Sequence, residues 1–174
     1  MKRAPEAVLT ERLALDRVTP DDEPGLSRIF RDPLVAATLS ETGAPPSAAQ
    51  LHERHAAKLA HWERFGFGVW VVRDRVSRDI LGQGGLQHAF AKGLDDIEVG
   101  WTIAPERWGE GLATEVALAS VETAFGALAL PRVIALTTAE NTASQRVMEK
   151  AGFRFERKVR ERTLVLRLYV LDRC

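Results

Sequence analysis

The chain has 174 residues, enough for one domain that buries a sizeable core without disulfide or metal staples. Hydrophobic residues make up 45%, charged residues 28%, and the formal net charge is +0, the profile of an ordinary globule with no global field to attract nucleic acid or an acidic membrane. The single cysteine, Cys174, excludes an internal disulfide framework and a cysteine-rich metal site, and fits a reducing compartment.

There is no apolar run long enough to cross a membrane, and residues 1–9 lack the basic start and apolar core of a signal peptide, so the expected location is the cytoplasm. Leu13 and Leu15 alternate with Arg12 and Ala14 as a short first strand. Thr19, Pro20, Asp21 and Asp22 supply an N-cap, a first-turn proline and acids at the positive end of a helix dipole, which predicts a helix carrying Leu26, Ile29 and Phe30. Asp32 and Pro33 restart the chain into another short helical piece, and residues 43–46 form a loop. Ser47 and Gln50 have the spacing of a capping box, launching a helix with Leu51, His55, Leu59 and Trp62 at helical spacing and Gly66 as its stop. Residues 67–72 and 80–86 read as strands joined by a charged turn, and Lys92 with Gly93 turns the chain into a third strand of a meander.

In that third strand Val99, Trp101 and Ile103 alternate with Glu98, Gly100 and Thr102, and Pro105 ends it. Gly109 and Gly111 then allow a sharp turn into an apolar-periodic helix over residues 113–128. The first N–H groups of that helix have no intrahelical partner, so the turn is suited to an anion such as phosphate. Residues 132–138 form a strand with two apolar faces, Asn141 caps a helix over 142–150, Gly152 closes it, and residues 153–171 hold two more strands. The order predicts a mixed sheet with helices on both faces in one domain.

Several motifs lie on these elements in a fixed order. They are Thr10-Glu11-Arg12-Leu13 with Thr19-Pro20-Asp21-Asp22; Gly66-Phe67-Gly68-Val69-Trp70; Glu98-Val99-Gly100-Trp101; the turn from Trp108 to Glu115; and Asn141-Thr142-Ala143-Ser144 leading to Lys150-Ala151-Gly152-Phe153. Together they resemble the GNAT superfamily of N-acetyltransferases, in the branch similar to the RimJ/RimL ribosomal-protein acetyltransferases, over nearly the whole chain. The resemblance implies a single N-acetyltransferase domain over residues 8–174. It also implies an α+β fold, an α/β/α sandwich whose mostly antiparallel sheet of about seven strands splays between the family's fourth and fifth strands. Acetyl-CoA is the implied cosubstrate, with no metal. Its pyrophosphate is expected on Trp108, Gly109, Glu110, Gly111, Leu112, Ala113 and Thr114, and its pantetheine arm on Trp101, Thr102, Ile103 and Asn141. Trp108 stands where the general family pattern has Gln or Arg, as is usual in the RimL-like branch. A P-loop is excluded because the turn lacks the Gly-Lys-Ser/Thr ending. A backbone N–H near residues 99–101 is a candidate for stabilising the oxyanion that develops on the thioester.

An amine nucleophile is mostly protonated at neutral pH, so a base or relay is useful. By resemblance Glu98 is that base, often acting through water; the alternative is a carboxylate that only binds the acceptor's positive charge. Many members of the family place a tyrosine seven residues after the asparagine to protonate the departing thiolate, and here Met148 stands there, which cannot donate a proton. Ser144 is the replacement acid by motif, with a routine cap-region residue as the plain reading, and a thiol of pKa about 8.5 also leaves tolerably unaided. Arg146 is a candidate for the coenzyme's 3′-phosphate. Phe67 and Trp70 fall where the branch places residues near the acceptor, though aromatic side chains there also suit a core.

His52, His55, His61 and His88 show no metal-binding pattern, and the basic tail of Arg154, Arg157, Lys158, Arg160, Arg162 and Arg167 is interleaved with Glu156 and Glu161, as on a solvated hairpin face. No nucleic-acid or membrane partner is expected, and a homodimer is compatible with the sequence. The expected activity is direct transfer of acetyl from acetyl-CoA to a primary amine, a protein N-terminus or a small molecule, in a ternary complex. The rival is a non-catalytic acyl-CoA sensor of the same fold. An aminoglycoside-type acceptor calls for an acidic cleft, to which Asp95, Asp96 and Glu98 are the local candidates.

Overall fold

The computed structural model describes residues 2–39, 42–91 and 93–173. Cys174 and the Lys92 half of the expected Lys92-Gly93 turn lie outside them. The elements are β1 (Ala7–Leu9), β2 (Leu13–Arg17), α1 (Glu23–Phe30), α2 (Pro33–Leu39), α3 (Ala48–Phe65), β3 (Val69–Asp74), β4 (Ile80–His88), β5 (Ile97–Ile103), α4 (Leu112–Phe125), β6 (Arg132–Thr138), α5 (Thr142–Lys150), β7 (Arg154–Glu161) and β8 (Leu164–Asp172). One sheet takes the strands in the order β1-β2-β3-β4-β5-β6-β8-β7. Every neighbouring pair is antiparallel except β5 and β6, which are parallel. The sheet has eight strands where about seven were expected. The additional strand, β1, is three residues long and mostly exposed at the sheet edge, so it has too little alternation to register in sequence.

Local chemistry sets the helix ends. The Ser47 hydroxyl accepts from the Gln50 N–H at 3.2 Å while the Gln50 side-chain oxygen accepts from the Ser47 N–H at 2.8 Å, the reciprocal pair of a capping box. Gly66 ends α3 in the left-handed region at φ +71°. In the Thr19–Asp22 turn, the Asp22 carboxylate accepts from the Thr19 N–H and hydroxyl at 2.8 and 2.9 Å. Its other oxygen is paired with Arg73 of β3, tying the turn to the sheet.

Neighbouring residues of β4 show which helix covers which face. A Cβ on Gly84 would meet Val116 of α4, whereas Gln83 accepts from Lys58 of α3. Adjacent strand residues point to opposite faces, so α3 and α4 sandwich the sheet. The core runs through both layers: Leu13, Leu15, Trp62, Trp70, Leu112, Val116 and Tyr169 are at most 2% exposed. The tail hairpin β7–β8 carries the basic residues on a largely exposed strand, with Arg157 beside Glu156 and Arg167 over the Phe155 ring at 4.3 Å. No helix among the described residues is long and apolar enough to cross a membrane.

Candidate active site

The parallel pair β5 and β6 shares one register pair, Glu98 opposite Ile134. Beyond that point the strands part, as the splay expected from sequence requires. Gly100, Trp101 and Thr102 on one side and Leu136, Thr137 and Thr138 on the other line a cavity of about 1010 Å³. Ordinary sheet pairing leaves no such gap, and backbone groups of β5 that another strand would occupy are left available to an extended ligand.

At one end the cavity reaches the turn before α4. Gly109 and Gly111 sit at φ +82° and +84°, and nothing lies within 4 Å of where a Cβ on Gly109 would stand. Gly111 is the N-cap of α4 and no side chain caps the helix, so the first amides and the positive end of the dipole are open. Side-chain contacts brace the turn. Arg12 donates to the Glu110 carbonyl at 2.8 Å and pairs with Glu115 at 2.9 Å, Arg107 bridges Glu110 at 2.7 Å, and the Trp108 indole N–H donates to the Ile103 carbonyl at 2.7 Å. Gly109, Gly111, Leu112, Ala113 and Thr114 therefore turn an open, glycine-cleared concavity to the cavity, with Arg146 and Lys150 of α5 also on its wall. These features fit a diphosphate.

α5 is fixed at the open end of β6 by Gln145, whose amide donates to the carbonyls of Thr138 and Ala139 at 3.1 and 2.8 Å and whose oxygen accepts from the Tyr169 hydroxyl at 3.3 Å. Asn141 Oδ1 accepts from the Ser144 N–H at 3.1 Å, leaving the amide NH₂ of Asn141 for the cavity it lines. Ser144 lines it too, and Met148 beneath is 2% exposed.

Glu98 stands where the strands begin to part, and it is 5% exposed. Its Oε2 is buried without a hydrogen-bond partner. Burial pushes the carboxyl pKa up to about 7, against the opposing pull of the Gln87 side chain and the Phe90 N–H. Among the described residues it is the one acid on the cavity wall. Nearby, His61 Nδ1 lies 2.9 Å from the Phe67 carbonyl and its Nε2 3.0 Å from His88 Nδ1. The carbonyl requires a proton on His61 Nδ1, so His61 Nε2 accepts from His88. Burial lowers the His61 pKa, which favours this neutral form.

The opposite wall comes from α3. Lys58 Nζ donates to Gln83 Oε1 at 2.5 Å and lies 4.9 Å from the centre of the Phe30 ring. Burial, and after it the charge of Arg54, lowers its pKa to about 8.

A family model described as "Acetyltransferase (GNAT) domain" matches residues 12–154. The chain belongs to the GNAT acetyltransferase family. The uncharacterized N-acetyltransferase YoaA of Bacillus subtilis (strain 168) is 30% identical to it over 154 residues, covering 87% of this chain and 85% of YoaA. The acetyltransferase of Agrobacterium tumefaciens str. C58 superposes with a TM-score of 0.84 at 23% identity, over 99% of this chain and 98% of the other. RimL, a ribosomal L7/L12 alpha-N-protein acetyltransferase solved in complex with coenzyme A, superposes with a TM-score of 0.78 at 13% identity, over 96% of this chain and 98% of the other.

In this GNAT acetyltransferase the residues expected from sequence divide three ways. Glu98, Trp101, Thr102, Ile103, Trp108, Gly109, Gly111, Leu112, Ala113, Thr114, Asn141, Ser144 and Arg146 meet on one cavity. Glu110 does not line it; its carboxylate pairs with Arg107 at 2.7 Å. Trp70, expected beside the acceptor, is fully buried, donates to the Pro5 carbonyl at 3.1 Å and is absent from the cavity wall, so its place is in the core. Phe67 is also off the wall and packs behind two residues that line it, His61, edge-on at 5.0 Å, and His88, at 5.6 Å. Missed from sequence were Arg54, Lys58, His61, Gln83, Gln87 and His88. A signal existed for three of them, since positions 54, 58 and 61 are spaced to share one helical face. Among the described residues no group of three His, Cys, Asp or Glu side chains could hold a metal ion.

Proposed function

We propose that this acetyltransferase moves the acetyl group of acetyl-CoA to a primary amine by direct transfer within a ternary complex. The observation that carries the reading is that one cavity joins the open amides of the glycine turn to the buried, unpartnered Oε2 of Glu98. The turn and the dipole of α4 hold the diphosphate, the amide of Asn141 and the unpaired backbone of β5 hold the arm, and the thioester is thereby delivered to the Glu98 end.

With a pKa of about 7, Glu98 is half ionised at neutral pH and suited to accept the amine's proton at Oε2, directly or through one water. A backbone N–H of β5 faces the charge that develops on the thioester oxygen. The Ser144 hydroxyl, on the same wall, donates to the departing sulfur. Among the described residues no cysteine lines the cavity, which supports transfer without a cysteine acyl-enzyme.

Initial rates of thiol release, with acetyl-CoA and an amine varied together, test this. A ternary complex gives intersecting double-reciprocal lines and an acetylated amine by mass. Parallel lines, or binding of acetyl-CoA with no product from any amine, overturn the proposal.

A further inference from the structure

The acceptor half of the cavity has a charge pattern that the transfer chemistry does not use. Arg54 and Lys58 are one helical turn apart on α3, and both line the cavity wall facing β4 and β5. Neither has a carboxylate partner among the described residues. Lys58 donates to the neutral Gln83 amide and lies over Phe30. The one acid on this cavity among the described residues, Glu98, sits opposite Gln87, four residues along β4 from the Gln83 that accepts from Lys58. A half-buried ammonium with no counter-ion is costly, and the usual compensation is an anion from a partner or a substrate.

Resting on the transfer reading above, we infer that the acceptor is an amine that also carries an anionic group, a carboxylate or a phosphate, which docks against Arg54 and Lys58 while its amine faces Glu98. The sheet register sets the approximate size of this acceptor. On β4, Gln83 holds Lys58 and lies opposite Thr102, and Gln87 lies opposite Glu98. The two glutamines share a face four residues apart, roughly 13 Å along a strand. Allowing a hydrogen bond at each end, the anion lies several bonds from the amine. Polycationic amines are disfavoured by the same pattern, because they meet two cations and one carboxylate.

The test is an acetyl-CoA-dependent thiol-release assay on matched pairs: ω-amino carboxylates of increasing length against their primary amides, aminoalkyl phosphates against the corresponding alcohols, and a polyamine. The acid member of a pair is expected to exceed its neutral partner by about tenfold or more in kcat/KM, the scale of one charge-assisted hydrogen bond, expressed mainly in KM. The carboxylate and phosphate arms show which anion is used. Arg54→Ala and Lys58→Met are expected to bring the acid-to-amide ratio toward one, and Lys58→Arg to restore part of it. Melting temperature and acetyl-CoA affinity verify that each variant is folded. Turnover of amides and polyamines as fast as of acids, or a ratio unmoved by both variants, overturns the inference and leaves the transfer reading standing. Absence of turnover with every amine overturns both.

Discussion

Replacing Glu98 with Gln keeps shape and hydrogen-bonding capacity and removes the one titratable acid on the cavity wall among the described residues. If the Glu98 carboxylate is the base, kcat falls by about 10²-fold or more, the usual share of general-base catalysis. In the wild type, log kcat/KM rises with pH and levels near pH 7, since the carboxyl must lose its proton and burial holds its pKa there. The amide of the Glu98→Gln variant cannot titrate, so that limb disappears. Stability moves the opposite way. The folded pKa of about 7 lies above the ordinary 4.5, so between these pH values the native state binds the proton that the unfolded state releases, and stability falls as pH rises through the window. The rise corresponds to about 3 kcal/mol at full ionisation, an upper figure for the gain of Glu98→Gln over wild type at pH 8. At pH 4 the gain vanishes, because both side chains are neutral. Urea unfolding at the two pH values and rate profiles from pH 5.5 to 9 measure both effects. A variant with wild-type kcat throughout refutes the base, and a stability difference independent of pH refutes the burial argument.

Gly109→Ala has room for its Cβ but must adopt φ +82°, at a cost of about 1 kcal/mol, and the methyl enters the anion concavity. Calorimetry is expected to show acetyl-CoA affinity weakened by tenfold or more with a small drop in melting temperature; unchanged affinity removes the turn from the coenzyme site. Ser144→Ala is expected to lower kcat by about tenfold or less with little change in coenzyme KM, because a thiolate leaves tolerably without an acid. A loss of several thousandfold contradicts that limit. Asp22→Ala breaks both the Arg73 pair and the Thr19 turn bonds of a carboxylate 2% exposed, and it is expected to cost about 3 kcal/mol in urea unfolding. A loss under 1 kcal/mol shows that the pair is not structural.

The residues most legible in sequence were those governed by local rules. Gly109 and Gly111 announce a positive-φ turn into a helix start, and Ser47 with Gln50 announces a capping box; both formed as their backbone requirements dictate. Glu98 was legible as a strand residue, but alternation alone does not say which face is buried, so an exposed carboxylate had equal standing with a buried one. The outcome depends on Gln87 and the covering helices, far away in sequence. Trp70 was open to two readings, core from its aromatic side chain and acceptor side from the motif, and its burial comes from contacts with Trp62 and Pro5 that no local pattern announces. Arg54 and Lys58 were invisible as a pair with a role, because basic residues on a helix normally face solvent. What makes them notable is the cavity beyond, which a helical wheel does not contain.

The central claim, that one cavity couples coenzyme binding at residues 109–114 to chemistry at Glu98, is tested most directly by measuring both properties on Glu98→Gln. The expected result is acetyl-CoA affinity within about twofold of wild type together with amine acetylation reduced by about 10²-fold or more. Undiminished acetylation with intact coenzyme binding contradicts the claim.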